Sequence, residues 1–496
     1  MLHLHWQESK VLALTFDVWL ITKTTPMDRR KFFKIGSIAT AGAGLLHTYN
    51  GITETLDIPT YSGKTPKNII ILVSDGMSSG TLSMTDIFMN RKYGVSSNWM
   101  KLYHENKVSR ALMGMASANS IVTDSAAASS SWGGGIRVKN GSLNIGENGE
   151  AHLPIWQKFK KAGKLAGCVT TVAITHATPA GFCVSSKSRN AQNDIAEQYL
   201  KIGFDVLLGG GTKFFDPSMR KDQKDLYTQY KSKGYQVATN KSELEKLTDK
   251  TPILGLFAED ALPYAIDRNE DKSLGNSIPS LAEMSKKAIH AMRNHKKGFV
   301  LQIESGKVDW AAHANDLGTL LYEQMQFDKA IKVAMDFAEE NNDTLVIITT
   351  DHGNANPGII YGKNANNNFD SVQNYKQSNE WILNQFSENS KAKEIIETLK
   401  YANGNTISEE DAQRILKYYS GIEKDEDGLY NYKKVPFKLL SEIQQKTNSV
   451  GWISMDHSAD YVELAMFGPG SEKLKPFIRN TELHNFMLEA AEVQVN

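Results

Sequence analysis

The sequence predicts an α/β fold, a three-layer sandwich around a central, mostly parallel sheet, and two regularities predict it. Short apolar runs recur along the chain without polar alternation, as in strands covered on both faces. Helical patterns such as Ile155 to Ala162 and Leu281 to Arg293 separate the runs, so strands and helices alternate as they do around a parallel sheet. A further regularity lies in where the runs stop, because most of them end in a carboxylate, an imidazole or a hydroxyl.

Taken in order, Ile69 to Val73 lies between Pro66 and Gly76 and stops at Asp75. This is the composition of a central strand, with the acid at its carboxyl end, the edge where open α/β sheets bind ligands. A strand from about Cys168 to Ile174 runs into His176 and Thr178, and Phe204 to Gly211 is a buried strand that ends in a turn. Phe299 to Ile303 stops at Glu304, and Leu345 to Ile348 leads to Asp351 and His352. From Asn354 to about Val450 the texture becomes polar, helix-forming and asparagine-rich, which reads as an insertion over residues 355–450. The acidic "EKDEDG" within it lacks the ligand spacing of a calcium loop and reads as a solvated turn. Beyond it, His457 precedes an alternating strand from Val462 to Phe467.

Composition narrows the function. The 56 basic and 56 acidic residues cancel, so no polyanion is indicated as an obligatory partner and nucleic acid is not required. Cys168 and Cys183 are the only cysteines, too few for a disulfide framework in a chain of 496 residues, and their apolar surroundings read as buried free thiols. Residues 1–60 read as a leader and linker. Within them Met27 to Leu46 places Arg29 and Arg30 before Phe32, Phe33 and Lys34 and then a weakly hydrophobic, small-residue stretch, the order of a twin-arginine export signal. The expectation is a periplasmic or secreted protein whose translation begins at Met27. No later stretch has the roughly eighteen apolar residues of a membrane span.

Two segments carry chemistry. In "ESGKVDWAAHAND", Asp309 and His313 are four apart and share one face of a helix, where a carboxylate and an imidazole suit zinc. In "SIVTDSAAASSSWGGG", Asp124 and Ser125 open a helix, so the hydroxyl lies near amides that favour an anion. No Gly-x-Ser-x-Gly or other nearby arrangement supplies a base for Ser125, whereas coordination to a divalent metal would activate it as it activates water.

The elements "SDGM", "TDSAAA", "THATPAGF", Arg189, "ESGKVDWAAH", "TTDHGN" and "DHSADYVELAMFGPGSE", in this order, resemble the alkaline phosphatases from about Asn68 to Glu472 apart from the insertion. The resemblance implies a catalytic domain over residues 61–496 that hydrolyses small phosphate monoesters through a phosphoseryl intermediate, with two Zn2+ and one Mg2+. Ser125 would be the nucleophile, with Asp75, Asp351 and His352 holding the zinc that activates it. Asp309, His313 and His457 would bind the second zinc. Asp75, Thr178 and Glu304 would complete the third site. Arg189, eleven residues after Thr178, would hold two phosphoryl oxygens in its fork, oriented by Asp124.

The family's pattern leaves two positions open. Position 176 is His and position 310 is Trp, where some family members carry Asp and Lys and others His at both. Imidazole suits zinc or cobalt better than magnesium, so His176 leaves the third metal undecided. Trp310 either neighbours the substrate or packs on its helix. The insertion, placed between two ligand segments, is expected near the active site. A phosphodiesterase or other hydrolase of the same superfamily is the alternative enzyme reading, and an exported phosphate-binding protein the non-enzymatic one. Monomer and homodimer both remain open.

Overall fold

In the computed structural model, which describes residues 64–424, 429–431 and 433–494, the chain is built on a ten-stranded sheet. Its strands are β1 (Asn68–Ser74), β2 (Ser109–Gly114), β3 (Leu165–Ala173), β4 (Val206–Gly210) and β5 (Gln236–Ala238), followed by β6 (Ile253–Leu256), β7 (Phe299–Ser305), β8 (Thr344–Thr349), β9 (Val462–Phe467) and β10 (Phe477–Arg479). They lie in the order β10-β2-β9-β8-β1-β7-β3-β4-β6-β5. β9 pairs antiparallel with β2 and β8, and every other pairing is parallel. The leader and its arginine pair lie outside the described residues, as does most of the acidic "EKDEDG".

β1 shows why the apolar runs are continuous. Successive side chains of a strand point to opposite faces. Ile70 and Leu72 enter one core with Met284, Ala288, Leu320 and Leu321. Ile69, Ile71 and Val73 enter the other with Trp156, Phe159, Tyr199 and Met487. Both faces are dry, so neither parity tolerates a polar residue. The layers are helices on one face, including α3 (Leu281–Met292) and α5 (Leu317–Glu340), then the sheet, then helices 155–161, 192–202 and 480–490 on the other.

The recognised elements differ from expectation mainly at their ends. The third strand starts at Leu165 and stops at Ala173, and the fourth covers Val206 to Gly210. β2, β5, β6 and β10 were not foreseen: three of them have three or four residues, and β2 carries exposed Arg110 and Leu112 among its buried positions. Between Asn354 and Val450 the chain forms helices, among them α6 (Asn379–Asn384), 392–403, 409–416 and 437–448. They enclose a core of their own, built from Leu383, Ile395, Leu399, Ile415, Tyr419 and Leu440. Cys168 and Cys183 are free and buried, with their sulfurs 3.5 Å apart. No helix among the described residues is long and apolar enough to cross a membrane.

Candidate active site

The strand order assembles the site. β8, β1, β7 and β3 are neighbours and run parallel, so their carboxyl ends lie side by side. Asp351, Asp75 and His176 follow the ends of β8, β1 and β3, Glu304 is the penultimate residue of β7, and the four therefore meet at one edge. Two helices and a bridge complete the constellation. α4 (Lys307–His313) follows β7 and carries Asp309 and His313, α2 (Ala177–Cys183) follows β3 and carries Thr178, and His457 is paired with Asn354 just beyond His352. α1 (Ser125–Gly133) presents Ser125 as its first residue.

These side chains fall into three groups, each with ligand atoms within 4.8 Å of one another: Asp309 with His313 and His457, Asp75 with Asp351 and His352, and Asp75 with His176 and Glu304. In the first group the Nδ1 atoms of His313 and His457 face the carbonyl oxygens of Met455 and Thr123 at 2.6 and 3.0 Å. A carbonyl only accepts, so each Nδ1 carries a proton and each Nε2 is directed inward, the arrangement that orients imidazole towards a metal. The two Nε2 atoms are 3.1 Å apart, and each lies 3.4 Å from an Asp309 oxygen. Burial lowers the pKa of His457, but Asp309 outweighs it and raises the value to about 9, so a proton is drawn to the place a cation would take.

The second group contains the nucleophile candidate. Ser125 Oγ is 3.3 Å from His352 Nε2, and Asp351 Oδ2 and Asp75 Oδ1 lie 3.2 and 3.6 Å from that same nitrogen. In a Ser-His-Asp triad the serine and the acid sit on opposite ring nitrogens. Here serine and both acids converge on one, while the buried Nδ1 has no hydrogen bond. The histidine that sequence proximity could not supply to Ser125 is thus present, in a coordinating arrangement rather than a proton relay.

The carboxylates share a pattern. The scaffold ties one oxygen of each: Gly76 N donates to Asp351 Oδ1 at 2.9 Å, Thr178 Oγ1 to Asp75 Oδ2 at 3.1 Å, and Thr170 Oγ1 to Glu304 Oε2. The other oxygens, Asp351 Oδ2, Asp75 Oδ1 and Glu304 Oε1, are buried without a hydrogen bond. Bare buried carboxylate oxygens facing one another are costly, and burial raises Glu304 to about 7 and Asp351 to about 6. Asp75 is also raised, first by burial and then by Asp351, Asp309 and Glu304. Inward bare oxygens beside inward imidazole nitrogens fit divalent cations, and the O and N donors suit zinc in the first two groups.

Arg189 and Asp124 stand beside the third group. Arg189 donates through Nη1 to Asp124 Oδ2 and through Nη2 to His176 Nε2, both at 3.1 Å. Burial first, and the Arg189 charge second, lower His176 to about 3, so it is neutral and can accept. Asp124 also caps α1, its Oδ1 accepting from Ala127 N at 2.9 Å, and its Oδ2 accepts from Gly141 N at 2.9 Å. One carboxylate thus fixes both the serine helix and the guanidinium. Trp310 is half-buried against the first core, its ring 6.4 Å from that of His176.

Sequence reasoning missed three supports. Thr170 lies in mid-strand and looks like an ordinary β-former. Asn354, whose Nδ2 donates to Asp309 Oδ1 at 2.7 Å, follows the "DHG" turn and carries no ligand signal of its own. The Met455 carbonyl is backbone and leaves no trace in side-chain chemistry.

The alkaline phosphatase family model matches residues 66–493. The chain belongs to the alkaline phosphatase family. It is 32% identical over 436 residues to alkaline phosphatase 4 of Bacillus subtilis, covering 85% of this chain and 88% of that protein. Escherichia coli alkaline phosphatase is 28% identical over 370 residues, covering 64% of this chain and 79% of that protein. Among solved structures, Thermus thermophilus alkaline phosphatase superposes with a TM-score of 0.80 at 30% identity, covering 91% of this chain and 97% of that one. A cold-active alkaline phosphatase from Shewanella gives a TM-score of 0.72 at 25% identity, covering 86% and 99%. This alkaline phosphatase family member is therefore a phosphomonoester hydrolase with candidate metal-binding groups at the carboxyl edge of its sheet.

Gly76 tests this geometry. Its φ is +68°, and a Cβ there would lie 2.5 Å from Asp309 Oδ1 and 2.9 Å from Asp309 Cα, so no side chain fits unless Asp309 moves. Gly76→Ala is expected to cost about 1–3 kcal/mol in stability through strain and overpacking. It should also lower the metal retained per chain on gel filtration. Full metal content in a folded variant would show that Asp309 is not held where the site requires it.

Proposed function

We propose that Ser125 is the nucleophile of a two-step phosphomonoester hydrolysis. The observation that carries this reading is the convergence of Ser125 Oγ, Asp75 and Asp351 on one nitrogen of His352. Asp75, Asp351 and His352 would hold one zinc, and Asp309, His313 and His457 the other. Asp75, Glu304 and Thr178, with His176 beside them, would hold a third ion, magnesium or another divalent metal. When bound, these ions supply the positive charge that lowers the pKa of attacking oxygens and neutralises the leaving one.

The chain's own residues do the rest. Ser125, at the first turn of α1, is presented where helix amides favour the phosphoryl anion. Arg189 binds two non-bridging oxygens through its fork, held in plane by Asp124, and this fixes the phosphorus in line with Oγ. As Oγ bonds to phosphorus, the ester oxygen leaves and takes a proton to become the alcohol. Water then attacks the phosphoserine from the vacated side, Oγ departs, and inorganic phosphate is released. His176, neutral and accepting from Arg189, keeps the guanidinium aimed at this position. A diesterase or a phosphate-binding protein would use the same edge, and comparison of a monoester, a diester and a sulfate ester separates these readings.

Export by the twin-arginine route rests on Arg29 and Arg30 in the sequence, and it suits a protein that acquires metal and folds before leaving the cytoplasm. Substituting both arginines by lysine is expected to leave active enzyme in the cytoplasm. Undiminished activity in the periplasmic fraction would contradict the route.

Ser125→Ala is expected to lower turnover by orders of magnitude while leaving bound metal nearly unchanged, since serine is one contact among several. Quenching the parent in acid during turnover should trap a phosphoprotein, and peptide mapping should place it on Ser125. A phosphorylated residue elsewhere, or full turnover after chelation to an empty site, would overturn the reading.

A further inference from the structure

His313 poses a problem that the catalytic body alone does not solve. It is the last residue of α4, its side chain is 34% exposed, and on its own helix the ring is approached by Asp309, at 3.4 Å from Nε2, which leaves Nδ1 to be held from elsewhere. The ring is held through Nδ1 by the Met455 carbonyl. Met455 lies just past the helical segment, and both it and Ala314, the residue after His313, pack against that segment's separate core. The helices inserted between Asn354 and Val450 therefore pack against the residue that follows His313 and against the residue whose carbonyl holds its ring.

The turn after His313 is tied to the same segment. Asn315 adopts a left-handed conformation, φ 48°, and Asp316 caps α5, accepting from Thr319 N at 3.1 Å and Thr319 Oγ1 at 2.6 Å. Asp316 Oδ2 also accepts from the backbone amide of Asn379, the first residue of α6, at 2.6 Å. Next to it, Asp267 Oδ1 accepts from Ser378 N at 2.7 Å. Two carboxylates of the body thus receive two consecutive amides of the inserted segment, and Asp316, Ser378 and Asn379 are all buried. Asn379 then exchanges amide hydrogen bonds of 3.2 and 2.8 Å with Gln444 on helix 437–448, whose end leads back to Val450 and Met455. The connections close a ring: His313, Asp316, Asn379, Gln444, Met455, His313.

We propose that Asp316 is a positioning residue that, through the Asn379 amide, uses the inserted helices to hold the His313 imidazole in its ligand orientation. The proposal rests on the reading that Asp309, His313 and His457 hold a zinc ion. It gives the insertion a part in metal retention that is separate from any contact with substrate. A buried carboxylate accepting from a hydroxyl and two amides fixes all of them at once, because leaving any of them unpaired there is costly.

Proline isolates the contact. Asn379 is the first helical residue, where proline is well tolerated, and Ser378 has the extended conformation that precedes proline, φ −69° and ψ 156°. Asn379→Pro removes the amide donor, whereas Asn379→Ala keeps it, and both lose the pairing with Gln444. In zinc-loaded, full-length protein, a chromogenic chelator should withdraw one zinc from Asn379→Pro roughly 10-fold faster than from Asn379→Ala, the usual scale for outer partners of a metal ligand. The other zinc should leave at the same rate from both. Asp316→Asn, compared with the parent, should reproduce the fast phase, and it decides the question alone if the proline variant does not fold. Equal release of both ions from each pair of proteins would overturn the proposal. His313→Ala separates the two levels of failure. If it loses one zinc while the other variants match their controls, only the positioning role fails; if it loses none, the assignment of the zinc site fails with it.

Discussion

The constraint on which this structure depends is the crowding of Asp75, Glu304, Asp309 and Asp351 at one dry edge of a parallel sheet. All four are buried, and the strands that carry or precede them are hydrogen-bonded neighbours, so they cannot relax apart. Burying one unpaired carboxylate is expensive, and burying several together multiplies the cost by repulsion. The protein answers with directed asymmetry. Gly76, Thr178, Thr170 and Asn354 each tie down one carboxylate oxygen from the scaffold side. For Asp75, Glu304 and Asp351 the second oxygen is left bare and inward. A fold that sought stability alone would fill these positions with apolar residues. Holding cations is the use that explains the arrangement.

The surrounding elements serve the same end at increasing distance. Asp124 joins the cap of the serine helix to the guanidinium of Arg189, which in the proposed mechanism would couple the attacking atom to the phosphate grip. The carbonyls of Thr123 and Met455 set the tautomers of His457 and His313. Because the Met455 carbonyl is reached only after the inserted helices, the part of the chain that looks most like an addition to the fold also lies in the path that sets the His313 ring, which we propose as a ligand. The division between a chemical core and an accessory segment is therefore less sharp in three dimensions than along the chain.

Much of this was legible in the sequence, for local reasons. A strand covered on both faces is apolar at most positions, so β1 and β8 announced themselves, and the polar residue that ends such a run stands out against it. Asp75, Glu304, Asp351 and His352 could be read in this way, and the four-residue spacing of Asp309 and His313 placed them on one helix face. What could not be read depends on strand order, which is non-local: nothing in the sequence of β3 says that it lies beside β7, and so nothing pointed to Thr170 as the partner of Glu304. The strands β5, β6 and β10 are too short to show a period. The ring that joins Asp316, Asn379 and Met455 runs largely through backbone groups, which have no residue-type signature.

The bare oxygens and inward nitrogens of this edge are placed to hold metal ions. The most direct measurement is anomalous diffraction at the zinc absorption edge from crystals of the zinc-loaded protein. One zinc is expected among Asp309, His313 and His457 and a second among Asp75, Asp351 and His352 beside Ser125. Zinc bound only elsewhere on the chain, with both groups free of metal, would contradict it.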